Sequence, residues 1–377
     1  MSDPAHQPMS PTPTASTSEF VVTFGIILIV IMALLAADTS LARVDRRESA
    51  AHAASLYAEG QALLVSGQPH LAVERFALAF ASERSNVRYQ LALGEALLGD
   101  GRLEEAETTL NVVLARAQTD GAANIAMARV LTRGKRVDDA KSFYHRAIYG
   151  RWGADSVHAR FVSRLELIDL LVAQGAKREL LAELLPLQEV MPDSLALRRR
   201  IGHLFILAGS PAHAVTIFRE LLHRNPADGD AYSGMGEAAL SLGDFRTARA
   251  DLLEASRLLP QDTAIAMRLA LADTILAINP IERGLSAHER FVRAHDILAR
   301  TLALAQSCTA TSGAIAERAA SARSTLTAVV RPQNEATSAE QMLALASDLY
   351  VNLPASCSNV HSVAGEALVL IQAHLPQ

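Results

Sequence analysis

Residues 195–228 read LALRRRIGHLFILAGSPAHAVTIFRELLHRNPAD, and the next thirty-four, 229–262, read GDAYSGMGEAALSLGDFRTARADLLEASRLLPQD. Laid over one another, Gly202 falls on Gly236, Gly209 on Gly243, Ala214 on Ala248, Phe218 on Leu252 and Pro226 on Pro260. Within each stretch, apolar residues recur at three- and four-residue spacing on both sides of a central glycine. That is the pattern of two short amphipathic helices joined by a tight turn.

The same period extends upstream. Gly60 recurs as Gly94 and Gly67 as Gly101, while Ala72, Ala106, Ala140 and Phe76, Leu110, Tyr144 continue at the same step. Further along, Gly175 leads to Gly209, Leu184 to Phe218 and Pro192 to Pro226. Each position has a physical reason. Small residues at Gly60, Gly94, Ala128, Gly202 and Gly236 let the two helices of a unit approach, and Ala72, Ala106, Ala140, Ala214 and Ala248 match them on the second helix. Large apolar residues at Phe76, Leu110, Tyr144, Phe218 and Leu252 fill the space between. The glycines at 67, 101, 175, 209 and 243 suit a turn that needs positive φ. The prolines at 192, 226 and 260 stop the second helix.

An aromatic or large residue, a Leu-Gly-like pair such as Ile201-Gly202 or Met235-Gly236, an A-x3-F spacing and a closing proline together resemble the tetratricopeptide repeat. The resemblance covers six units, 53–86, 87–120, 121–154, 161–194, 195–228 and 229–262, with a degenerate seventh from Thr263 that is lost by Asn279-Pro280. A six-residue insertion, Gly150 to Asp155 (GRWGAD), separates two registers and reads as a longer loop between repeats. The fourth unit carries Ile168 and Leu180 where small residues are expected, so its helices are expected to pack less closely. The first three units lack the closing proline. The expected fold is all-α: a right-handed superhelical solenoid of about six helix-turn-helix units with a helical C-terminal cap, preceded by one transmembrane helix.

Composition agrees. Half the chain is hydrophobic but only 5% is aromatic, which suits helix on helix and argues against a β-sandwich or barrel. A net charge of -5 leaves no basic excess for nucleic acid. Two cysteines exclude a disulfide-dense scaffold and a Cys-rich zinc site.

Phe20 to Ala37 (FVVTFGIILIVIMALLAA) holds no charge and, as a helix, spans roughly 27 Å, close to a bilayer's hydrocarbon core. No Lys or Arg precedes it, which favours a retained anchor over a cleaved signal peptide. The expected organisation is a disordered Pro/Ser/Thr tail (1–19), the anchor (20–37), a juxtamembrane linker or helix (38–52), the array (53–279) and a helical cap region (280–377). Arg43, Arg46 and Arg47 lean the array toward the cytoplasm, and the Ala-rich composition suggests a bacterial plasma membrane. A bridge between Cys308 and Cys357 would favour the outside instead, so the side stays open. In the cap region, Ser286 with Glu289 forms a capping box. Further helices are expected over Ala314–Val330, from Ser338 and Gln341 to Pro354, and over Val360–His374.

The resemblance implies a concave groove faced by positions two, five and nine of each first helix. Here those positions supply Tyr57, Gln61, Arg88, Glu95, Arg129, Asp169, Arg199, His203, Asp230, Ser233 and Glu237, with Arg133 adding charge beside Arg129. The Lys and Asn clamp that one branch of the family uses for a C-terminal carboxylate is absent, since Tyr57, Gln61 and Ala92 stand there. Arg88, Arg129 and Arg133 remain able to meet an acidic ligand.

No catalytic pattern is present. His288-Glu289 lacks the second His of H-E-x-x-H, and there is no phosphate-binding glycine loop, nucleophile elbow or C-x-x-C. The expectation is a non-enzymatic, membrane-tethered scaffold, without cofactor or metal, that holds a peptide segment of a partner protein in assembly of a membrane or envelope complex. The alternative is a structural or oligomerisation spacer whose groove stays empty.

Overall fold

A computed structural model describes residues 17–153, 156–307, 313–354 and 363–375. All regular elements among the described residues are helical, and one isolated bridge, Asp120 to Arg151, is the only pairing of extended backbone among them. The chain divides into two compact units, Met1–Ser163 and Arg164–Gln377.

The first unit contains α1 (Thr17–Val65), α2 (Pro69–Ser82), α3 (Val87–Gly99), α4 (Leu103–Arg116), α5 (Gly121–Arg133) and α6 (Val137–Ile148), each packed on the next. The stretch read as anchor, linker and first repeat helix is one unbroken helix of 49 residues. Burial along it begins only at Ala53, while Phe24, Ile29, Leu34 and Leu41 stand exposed.

Glycine in the first helix is a packing requirement. A Cβ on Gly60 would sit 2.7 Å from the Phe76 ring, and one on Gly94 would sit 2.7 Å from Leu110. Each turn closes in the same way: the N–H just past the turn residue bonds back to the carbonyl five residues earlier, as in Gln68 to Leu63 and Arg102 to Leu97 at 2.9 Å. In the third turn this bond joins Arg136 to Leu131, and the left-handed position is filled by Lys135 (φ 59), which is not a glycine.

The unit boundaries carry a signal of their own. Asn86 and Asp120 cap α3 and α5, their side chains accepting from the N–H groups of Arg88 and Ala123. The 150–155 insertion, as far as it is described, is pinned to one of these caps. Gly121 N–H donates to the Arg151 carbonyl at 2.8 Å and Arg151 N–H to that of Thr119 at 2.7 Å. Trp152 covers Gly121 and its indole N–H donates to the Ala147 carbonyl at 2.7 Å.

The second unit takes most of α7 (Ser156–Gln174), then α8 (Lys177–Val190), α9 (Leu195–Leu207), α10 (Pro211–Arg224), α11 (Gly229–Leu242), α12 (Phe245–Leu258) and α13 (Thr263–Ile278). Ser194, Asp228 and Asp262 repeat the capping role, and the prolines at 192, 226 and 260 each stand two residues past a second helix. In the fourth repeat Ile168, Leu180 and Leu184 are all fully buried, so the added bulk sits in the core.

Beyond the repeats come α14 (Ala287–Ser307), α15 (Gly313–Thr327), a 3-10 turn (Pro332–Asn334), α16 (Glu335–Val351) and α17 (Val363–Ala373). The Ser286–Glu289 capping box forms, with Glu289 Oε2 accepting from Ser286 N–H at 2.8 Å. The helix expected from Ser338 instead starts at Glu335, because Pro332 sets a tight turn that runs straight into it. The last helix, α17, returns to pack on α13 and so supplies the partner that the degenerate seventh repeat lacks in sequence. His374 then lies against Gly243 and meets the Phe245 ring edge-on at 5.7 Å. Cys308 and Cys357 lie outside the described residues.

Candidate functional site: the first-helix faces

In the first unit, three of the expected groove residues form one cluster. Gln61 Nε2 donates to the Tyr57 hydroxyl at 2.9 Å, and Arg88 Nε donates to the same oxygen at 3.1 Å. The Arg88 guanidinium also lies over the Tyr57 ring, 4.7 Å from its centroid. Tyr57 is held by Phe76 and Tyr89, at ring distances of 5.5 and 5.2 Å. The cluster thus rests on the repeat core, and Arg88 has no carboxylate partner among the described residues. Further along the face, burial pushes the Glu95 carboxyl up from its ordinary value, the Arg129 charge opposing this and Asp120 adding to it. Arg133 is set apart: it donates to the Leu98 carbonyl at the end of α3, which makes it a strut between two repeats.

The second unit treats its charges differently. Arg200 pairs with Asp169, and Arg199 grips Asp228 at 2.9 and 3.1 Å with Asp230 at 3.8 Å. His203 Nδ1 and Arg268 stand 3.3 and 3.6 Å from one oxygen of Glu237, and the His203 contact holds that carboxyl below its usual range against desolvation. Ser233 is buried. Each pair joins one repeat to the next, so the second-unit residues brace the stack. Asp228 and Arg268 belong to the row although the groove positions omit them; the 34-residue register places Asp228 at a unit end, where a cap was the legible role.

A cavity of about 640 Å³ opens on a different face of the first unit, between the last turn of α4 and the end of α6. Phe143, Arg146 and Tyr149 line it, with Arg146 lying 4.7 Å over the Phe143 ring. None of the expected groove residues contributes to it. Among the described residues no group of three or more His, Cys, Asp or Glu is placed to hold a metal ion.

Two segments, residues 57–122 and 199–263, match the family model described as the tetratricopeptide repeat. In these two segments the chain carries tetratricopeptide repeats, helix pairs at the period that its glycines, alanines and prolines set. No curated protein matches it by sequence. Solved structures to which it is similar include YrrB, described as a protein of this repeat class with an unusual peptide-binding site, at 16% identity over 52% of this chain and 97% of that one, TM-score 0.42. Another is PilF of Pseudomonas aeruginosa, at 14% identity over 60% and 98%, TM-score 0.42. A third is the TPR2AB domain of yeast Sti1 in a pHSP90 complex, at 18% identity over 77% and 99%, TM-score 0.31.

Proposed function

We propose that this protein is a membrane-tethered, non-enzymatic scaffold that captures an acidic peptide segment of a partner protein on the first-helix face of its first unit, in assembly of a membrane or envelope complex. The observation that carries the reading is Arg88. Its guanidinium is oriented by the Tyr57 ring and hydroxyl yet meets no carboxylate among the described residues. A carboxylate-bearing peptide would complete a charge-assisted pair there, with Tyr57 and Gln61 as flanking contacts. Arg199 and Arg200 of the second unit, in contrast, already hold aspartates. In this reading the second unit is a braced spacer.

The tether is the first half of α1, a helix long and apolar enough to cross a membrane, none of whose apolar window is buried in the protein. A lysed and unlysed protease-accessibility comparison with a C-terminal tag assigns the side.

The groove is tested with the full-length chain in detergent on an array of immobilised acidic and neutral peptides. Acidic peptides bind the wild type, and Arg88→Glu or Tyr57→Ala abolishes their capture while Arg199→Ala on the braced face leaves it. Equal capture by Arg88→Glu rejects the reading and leaves the spacer role for the whole array.

A further inference from the structure

Between the apolar half of α1 and Ala53, residues 38–52 form a helix on which nothing packs among the described residues. Every residue there is exposed except half-buried Ala42. At about 100° per residue, Asp38, Asp45 and Glu48 share one face and Arg43, Arg46 and Arg47 the opposite one. Leu41, 75% exposed, lies within the acidic face between Asp45 and Glu48, and Val44, 53% exposed, borders it. Within one helix this layout is unfavourable, because Arg43 neighbours Arg46 and Arg47, and Asp45 neighbours Glu48, at the three- and four-residue spacings where like charges repel. None of these side chains has an ion-pair partner among the described residues.

We propose that this segment docks against the same segment of a second copy of the chain, the acidic face of one helix against the arginine face of the next. The inference rests on the membrane reading above, since copies anchored through the same residues stand parallel and level. Asp45 then lies about 3 Å above the neighbour's Arg43 and about 1.5 Å below its Arg46, and Glu48 lies about 1.5 Å above its Arg47. Each height mismatch is well within the reach of an arginine side chain. Leu41 is covered within the contact and Val44 at its edge. An anionic lipid surface fits less well, because it would attract only the arginine face and repel the other. Since the two faces of the contact differ, each copy keeps one of each open, and association builds rings or rows of chains.

The test uses full-length chains carrying donor or acceptor fluorophores at the C-terminus, reconstituted in neutral phosphatidylcholine vesicles and recovered by flotation. One variant is Arg43→Glu with Arg46→Glu and Arg47→Glu; the other is Asp38→Arg with Asp45→Arg and Glu48→Arg. Both leave the repeat core untouched, as burial starts at Ala53. Energy transfer is expected in the wild type, to fall about tenfold in either variant alone, and to return when the two variants are mixed in one vesicle. Transfer unchanged by either reversal, or absent from the mixture, overturns the proposal. Wild-type transfer that requires anionic lipid overturns it in favour of the lipid surface. Failure of the wild type to float with vesicles removes the membrane reading and this inference with it, an outcome distinct from floating without transfer.

Discussion

Asp228 joins two neighbouring repeats through one carboxylate. One oxygen caps α11 by accepting from the Ala231 N–H at 3.1 Å, and the other accepts two bonds from Arg199 of α9. The residue is 4% exposed, so neither role can be handed to water.

Asp228→Ala therefore removes a cap and the closer of the two carboxylates that Arg199 meets. A loss of about 2 kcal/mol is expected, from roughly 1 for the cap and the remainder for the lost charge-assisted bonds to Arg199. Asp228→Asn, which keeps a capping oxygen, should lose clearly less. Urea denaturation followed by circular dichroism measures both, and an Ala variant within about 0.5 kcal/mol of wild type, the scatter of surface changes, contradicts the shared role.

Gly202 faces the Phe218 ring, which a Cβ would approach to 2.6 Å. The ring is fully buried and has no room to withdraw. Gly202→Ala should cost about 2 kcal/mol by overpacking. Shrinking the opposing ring in the same chain, Phe218→Leu, should make the added methyl cheaper; if its cost is the same in both backgrounds, the clash is not the cause.

Lys135 occupies the turn position that glycine holds at 67, 101, 175, 209 and 243, and takes φ 59 there. A side chain in that region is strained by about 1 kcal/mol relative to glycine. Lys135→Gly should raise the thermal midpoint, and Gly101→Ala should lower it. A drop in midpoint for Lys135→Gly would mean that the Lys135 side chain makes a contact worth more than the strain.

Asp251 carries an oxygen without a hydrogen-bond partner, and burial, with the Asp244 charge adding, pushes its carboxyl up to about 6. In the unfolded chain the group titrates near ~3.9. Between those values the folded chain holds the proton more tightly, so this residue makes stability fall as pH rises from about 4 to 6. Asp251→Asn should gain stability on wild type as pH climbs through that window, in denaturation curves taken at acidic and neutral pH. A difference between the two proteins that does not change with pH refutes the assignment.

The helix pairs were legible because each repeat spends a residue type on a geometric need that recurs every thirty-four positions. Gly60, Phe76 and Gly67 mean little singly and a fold together. What escaped the period was of two kinds. Some features substitute one chemistry for another at a fixed place: Lys135 in a glycine turn, or Asn86, Asp120 and Asp228 as caps at positions read as the ends of units. Others depend on which repeats touch. The groove positions suit a ligand surface by sequence, and only the structure shows that Arg199, His203 and Glu237 also reach the adjacent repeat and that Arg133 reaches back to Leu98. The return of α17 onto α13 had no sequence signal, because the two segments are far apart and share no motif. Tyr57, Gln61 and Arg88 came together as one cluster, although only their separate positions, and not the aromatic support beneath Arg88, were visible beforehand.

The unbroken course of α1 has a mechanical corollary. With no joint between residue 37 and the first repeat, the direction in which Tyr57 and Arg88 look is geared to the rotation of the helix that carries them. Removing one residue from 38–52 would swing that face through about 100° and lower it by about 1.5 Å, whereas inserting seven would lift it by about 10 Å with only about 20° of turn. Compass bearing and altitude of the Arg88 face are thus both set by the number of residues in a segment that itself touches no ligand.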